Sequence, residues 1–201
     1  MQKEFNESFK HLKKDPIMKS LINKLGNKIT LYDRKDSDLA KAISQLIIEQ
    51  QVSFKAAITI KKRFKSLIAG LSYKEIILIE NEKLKSIGIS YRKVEYIKNV
   101  YTYFLSTNFD FYSQSSKSVI KELTKIKGIG KWTSEMFLIF ILFDKDVFSK
   151  GDLALINSIK INYNISDLTN EILDQITIKW SPYRTIASLL LWKSIENKIF
   201  A

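Results

Sequence analysis

The chain has no cysteine, which removes disulfides, a thiol nucleophile, cysteine zinc fingers and cysteine-ligated iron–sulfur clusters at one stroke. Histidine is nearly as scarce. The single one, His11, sits in a Lys-rich N-terminal segment and reads as a solvated surface residue, so a histidine metal site or a histidine-based triad is excluded as well. Only two prolines and six glycines interrupt the chain, leaving long stretches open to helix. No run of 18 apolar residues and no leader pattern is visible, so the expectation is a cytoplasmic protein without a membrane partner. Acidic charge is the other shortage: 21 Asp and Glu against 33 Lys and Arg leave a formal net charge of +12. That surplus calls for an acidic partner, nucleic acid first. Just four of the basic residues are arginine (Arg34, Arg63, Arg92 and Arg184), so charge alone does not choose among acidic partners.

What is present is helical periodicity. With 45% hydrophobic residues over 201 positions, the chain can bury a substantial core. Apolar residues recur at helical spacing from Leu39 to Ile48 after a polar Asp36–Asp38 start. Ser53 is placed to cap a helix running through Lys65, with Ala57, Ile58, Ile60 and Phe64 as its buried side. Ser72 and Glu75 have capping-box spacing, opening a short helix through Ile79. Further helices are predicted over 81–87 (ended by Gly88), 90–105, 118–127, 131–143, 152–162, 167–178 and 182–199. Residues 106–116 read as a loop. Ser181 and Pro182 look like an N-cap followed by proline at the first helical position. No βαβ alternation or tandem repeat appears. A strand over 28–32 is conceivable, and would not alter an all-α class.

The most informative stretch runs from Leu123 to Thr133. A helix ending near Lys127, the turn Gly128-Ile129-Gly130, and a second helix starting near Lys131 make a hairpin of helices. Glycine permits positive φ and leaves no Cβ between backbone and ligand. The first N–H groups of the second helix then point outward at its positive dipole end, a ready phosphate site. Leu123, Ile126 and Ile129 are its apolar pins, and Lys125, Lys127 and Lys131 surround it with positive charge. Gly-x-Gly also ends many helices with no ligand in view. Twenty residues beyond Trp132 comes Ser149-Lys150-Gly151-Asp152, where Asp152 can cap the following helix, face a DNA sugar, or do both. Asp144 and Asp146 lie in the polar loop before it and read as solvated.

This hairpin and the Gly-Asp that follows resemble the helix-hairpin-helix DNA glycosylases. Ile47-Ile48-Glu49-Gln50-Gln51-Val52-Ser53-Phe54-Lys55-Ala56-Ala57 is similar to one block of that superfamily. The span Gly88-Ile89-Ser90 through Lys93, Tyr96 and Ile97 is similar to another. Trp132–Phe137, Asp146–Leu153 and Trp180–Trp192 follow in the expected order. Over residues 40 to 195 the match is to the 3-methyladenine DNA glycosylase II family, in a compact form without the N-terminal β-rich domain of larger relatives. The resemblance implies two helical lobes flanking a DNA-binding cleft. One lobe would span about 36–118, the other about 1–35 plus 119–201, with the hairpin at 123–133.

It also implies roles. Asp152 would be the catalytic carboxylate of a monofunctional enzyme that flips out and hydrolyses alkylated purines, 3-methyladenine and 7-methylguanine, in base excision repair. Bifunctional relatives carry a lysine where this chain has Trp132, so no strand cleavage is expected. Lys131, one helical residue away and turned by about 100°, cannot simply substitute. Trp132, Trp192 and Met136 would wall the base pocket. Lys127, Gly128, Ile129, Gly130, Lys131 and Thr133 would hold backbone, while Gln51, Val52 and Ser53 would face the minor groove, Gln51 taking the wedge position. Arg184 has a rival role, pairing with an interior carboxylate. No cofactor is required; a monovalent cation at the backbone carbonyls of Thr124, Ile126 and Ile129 is compatible with the family. The expected partner is double-stranded DNA with alkylated bases, bound by a monomer, nucleoid-associated if the source is prokaryotic. Against this stand a non-catalytic DNA-binding module and a glycosylase for other lesions.

Overall fold

A computed structural model describes residues 5–31 and 36–201, apart from the Phe54 side chain. Among these the protein is all-helical: α1 (Asn6–Leu12), α2 (Pro16–Leu25), α3 (Leu39–Glu49), α4 (Phe54–Leu67), α5 (Tyr73–Leu78), α6 (Asn81–Ser86), α7 (Tyr91–Ser106), α8 (Ser116–Leu123), α9 (Lys131–Phe140), α10 (Leu153–Asn162), α11 (Asn170–Thr177) and α12 (Arg184–Asn197). A 3-10 turn, Ile178–Trp180, precedes α12. Residues 28–31 form no strand, and Tyr32, the last residue of the conceivable strand, lies outside the described residues.

Local chemistry sets most helix starts. Ser53, Ser72, Ser90 and Ser115 cap α4, α5, α7 and α8 through their hydroxyls, and Ser72 with Glu75 completes the capping box. Asp15, Asp38 and Asp152 do the same with carboxylates for α2, α3 and α10. Each such cap contributes about 1 kcal/mol.

The helices sort into two compact units, one of residues 1–33 with 143–201 and one of residues 34–142. In the second unit α3 packs against α7 and α9, α5 against α7, and α8 against α9; its core holds Ile43, Ile47, Ile97, Val100, Leu123 and Phe137. In the first, α12 packs on both α10 and α2, around Met18, Leu21, Ile159, Trp180 and Leu190. The units part between Leu142 and Phe143, later than the 118/119 boundary drawn from the sequence, because α9 packs on α3 and carries the hairpin with it.

Several expectations are corrected. Helix α12 begins at Arg184, not Pro182, because the Ser181 hydroxyl donates to Asp146 Oδ2 (2.8 Å) instead of capping. Asp146 is therefore no solvated loop residue: the Arg184 guanidinium forks onto it at 2.7 and 3.0 Å, the carboxylate partner foreseen for Arg184. His11 is half-buried, with Nε2 3.0 Å from the Lys179 carbonyl and its ring against Tyr183. Ile58 is 49% exposed, since one step past buried Ala57 turns a side chain by about 100°. Helices α8 and α9 are shorter than predicted, and α11 starts at Asn170 behind a Thr169 cap rather than at Asp167. Helices α1 and α2 were not anticipated.

The Asp146–Arg184 pair has a measurable consequence. Burial raises the Asp146 carboxyl, but the bonds from Arg184 and Ser181, with the Arg184 charge, outweigh it and hold the group below its ordinary 3.8. A lowered folded-state pKa stabilises above the unfolded value, and that stability is lost as pH falls through the folded one. The wild-type melting temperature should therefore fall more steeply than that of Asp146→Asn between about pH 4 and pH 2. Parallel curves would deny the pair this role.

Candidate functional site

In the 34–142 unit the site is built on the turn between α8 and α9. After Leu123, the Ile126 and Ile129 amides close back onto the carbonyls of Leu123 and Ile126, each at 3.0 Å. Leu123, Ile126 and Ile129 are buried and pin the turn to the core as expected. Gly128 has φ +104, and a Cβ there would lie 2.1 Å from Tyr96 Cγ. Glycine is thus required by conformation and by the close approach of α7. Gly130 differs from the expectation of a tight-turn glycine. It caps α9 at φ −96 in extended backbone, and a Cβ on it would meet nothing within 4 Å. Its bare backbone stands in open space at the N-terminus of a ten-residue helix, where the N–H groups of the first turn have no intrahelical acceptor.

The lysines around this turn are exposed, yet each faces a carboxylate. Lys125 lies 2.6 Å from Glu122, Lys127 2.5 Å from Glu95, and Lys131 3.8 Å from the buried Glu135. The Glu95 hydrogen bond raises the Lys127 ammonium above its ordinary value, keeping it charged. Local positive potential is consequently lower than a lysine count implies. Trp132 is half-buried in the first turn of α9, and Met136, one turn on, is 3% exposed. Thr124 is exposed; of the three carbonyls considered for a cation, that of Ile126 already accepts the Ile129 amide, and a carbonyl oxygen retains a second lone pair.

The loop between α3 and α4 reaches the same turn. Gln51 and Ser53 are exposed, and Val52 is 37% exposed. Gln50, which sequence reasoning passed over in favour of Gln51, donates from Nε2 to Thr133 Oγ1 at 2.9 Å and toward the Gly128 carbonyl at 3.5 Å. Lys93 on α7 donates to the carbonyls of Ile48 (2.9 Å) and Gln50. Two adjacent glutamines were the only available signal, and they do not reveal which one turns inward.

In the other unit Asp152 caps α10, its Oδ1 accepting the Leu155 amide at 3.0 Å. The Trp192 indole N–H donates to the same oxygen at 3.2 Å. Behind them a buried network joins α10 to α12: the Ser158 and Ser194 hydroxyls lie 2.7 Å apart, and Asn162 Nδ2 donates to both. The cap and the carboxylate-to-indole contact follow from one geometry, and both half-buried side chains are held on packed helices. Among the described residues no group of histidine and carboxylate ligands suits a metal ion.

Residues 44–182 match the profile of the HhH-GPD superfamily base excision DNA repair proteins. DNA-3-methyladenine glycosylase 1 of Schizosaccharomyces pombe is 30% identical over 191 residues, covering 90% of this chain and 82% of that protein. Among solved structures, the S. pombe 3-methyladenine DNA glycosylase in complex with abasic DNA superposes with a TM-score of 0.86 at 28% identity, covering 95% of this chain and 97% of that one. A DNA-3-methyladenine glycosidase from Bacillus halodurans gives a TM-score of 0.73 at 31% identity, over 94% and 90% of the two chains. The chain belongs to the HhH-GPD superfamily of base excision DNA repair proteins, and within it to the DNA-3-methyladenine glycosylases.

Proposed function

We propose that this protein is a monofunctional glycosylase that turns an alkylated purine, such as 3-methyladenine or 7-methylguanine, out of duplex DNA and hydrolyses its N-glycosidic bond. The observation that carries this reading is the Asp152 carboxylate, fixed at the start of α10 by the Leu155 amide and the Trp192 indole. The names of the relatives point to the same chemistry.

A base inside a duplex is out of reach, so the nucleotide must rotate out at a cost of a few kcal/mol. The α9 N-terminus and exposed Lys127 and Lys131 grip phosphate, a hold that weakens with salt. A monovalent cation on the carbonyls of Thr124, Ile126 and Ile129 would add to it. Gln51 or Val52, with Ser53 at the edge of the loop, fills the space the base leaves. Trp132 and Trp192 supply aromatic faces to the base, with Met136 as the third pocket residue. A cationic alkylated purine over an indole gains about 0.5–2 kcal/mol. Alkylation makes the base a good leaving group. As the bond stretches, its electron pair departs with the base and positive charge grows on the sugar. Asp152 stabilises that charge, and accepts a proton from the water whose oxygen bonds to the anomeric carbon. The products are free base and an abasic site in an unbroken strand, because no lysine amine stands at position 132 to form a Schiff base.

The test is release of radiolabelled base from methylated duplex DNA, followed by sizing of the strands. Free 3-methyladenine with intact strands is expected. Strand breaks by β-elimination would show that another amine does the work of lysine. Tight binding without release would leave a DNA-binding module.

A further inference from the structure

Gln51 adopts φ +54, a left-handed conformation sparsely populated outside glycine, which persists only where the surroundings over-determine it. Apolar packing does not supply that determination. Gln51 is exposed, and the loop borders an open cavity of about 190 Å³ shared with Ile60, Gly88 and Lys93. What holds the loop is polar and comes from two directions. On one side the Lys93 ammonium caps the C-terminal end of α3 by donating to the carbonyls of Ile48 and Gln50. On the other the Gln50 amide donates to the hydroxyl of Thr133, which is 2% exposed, and toward the Gly128 carbonyl. Burial lowers the Lys93 pKa, as expected of an ammonium whose donors have turned from water to carbonyls.

We propose that Gln50 is a positioning residue: with Lys93 it locks the Gln51–Ser53 loop in register with the Gly128–Thr133 hairpin, so that gripping phosphate and filling the vacated stack happen at one fixed spacing. This rests on the proposed glycosylase reading. Gln50 itself points into the protein and touches neither base nor sugar. Its effect falls on base rotation and spares phosphate binding. A purely structural role would instead lower stability and every step alike.

The experiment uses the full chain and a duplex bearing one 7-methylguanine beside 2-aminopurine, whose fluorescence rises when stacking is lost. A second duplex has an abasic site opposite the lesion, where there is no pairing left to break. For Gln50→Leu, loss of the hydrogen bonds should slow the fluorescence rise about tenfold on the paired duplex and about twofold or less on the other, with the dissociation constant little changed. Thr133→Val breaks the same contact from the opposite side. The double variant should be no slower than the slower single one, and Gln50→Glu, whose carboxylate has no N–H to donate to Thr133 or toward the Gly128 carbonyl, should recover little of the rate. Equal losses on both duplexes, additive losses, no loss, or no fluorescence rise with the wild type would overturn the assignment. A wild type that unstacks the duplex without releasing 7-methylguanine would count against the glycosylase reading alone, and the fluorescence rates would still decide the role of Gln50.

Discussion

Asp152→Asn should abolish base release while leaving the protein folded and bound to DNA. Loss of a charged group that stabilises a developing cation or takes a proton from water costs about 10²- to 10⁴-fold in rate. Asparagine is the substitution of choice because Asp152 also caps α10, its Oδ1 accepting the Leu155 amide. Asparagine caps as well as aspartate, whereas alanine would remove about 1 kcal/mol of helix stability and confuse the two roles. The side-chain oxygen of asparagine also remains available to the Trp192 indole. Single-turnover excision from methylated DNA and a binding titration at matched salt check this together. Turnover by Asp152→Asn at near wild-type rate would place the catalytic carboxylate elsewhere.

Gly128→Ala and Gly130→Ala should part company, although the two glycines are separated by one residue. At Gly128 the added methyl would sit 2.1 Å from Tyr96 Cγ and 2.5 Å from its Cβ, on backbone at φ +104. Steric overlap and a left-handed φ together should cost about 3 kcal/mol or more, lowering the melting temperature by about 6–12 °C for a chain of this size. At Gly130 the methyl would meet nothing within 4 Å, so the melting temperature should move by about 2 °C or less. DNA affinity should nonetheless fall about tenfold or more, because the methyl occupies the approach to the α9 N-terminus. Thermal denaturation and duplex binding separate the two. If Gly130→Ala binds DNA like the wild type, the hairpin does not take phosphate through its backbone.

The parts of the site legible in the sequence were those coded by neighbouring residues. Ser53, and Ser72 with Glu75, announce helix starts because a cap bonds an amide two or three positions away. Leu123, Ile126 and Ile129 announce the hairpin pins by helical and turn spacing. Asp152 was readable both as a cap and, through the family resemblance, as the candidate carboxylate. Contacts across long separations were not readable. Nothing near Trp192 in the sequence signals that its N–H bonds a carboxylate 40 residues earlier. Asp146 looked like loop polarity until Arg184 and Ser181, more than 30 residues on, closed around it. Ser181-Pro182 had every local mark of a helix start, and a tertiary partner claimed the serine hydroxyl.

Sequence alone determined the all-α class, most helix boundaries to within a few residues, the hairpin, and the family, since each depends on periodicity, capping or motif order along one strand of chain. Tertiary structure decided which of two adjacent glutamines turns toward the hairpin. It decided that Gly128 is required by the approach of Tyr96 while Gly130 stands open, and that the hairpin lysines face carboxylates. These depend on which side chain is brought opposite which by helix packing. A hydrogen bond or a steric overlap is settled over a few tenths of an ångström, a distance that residue order does not encode locally.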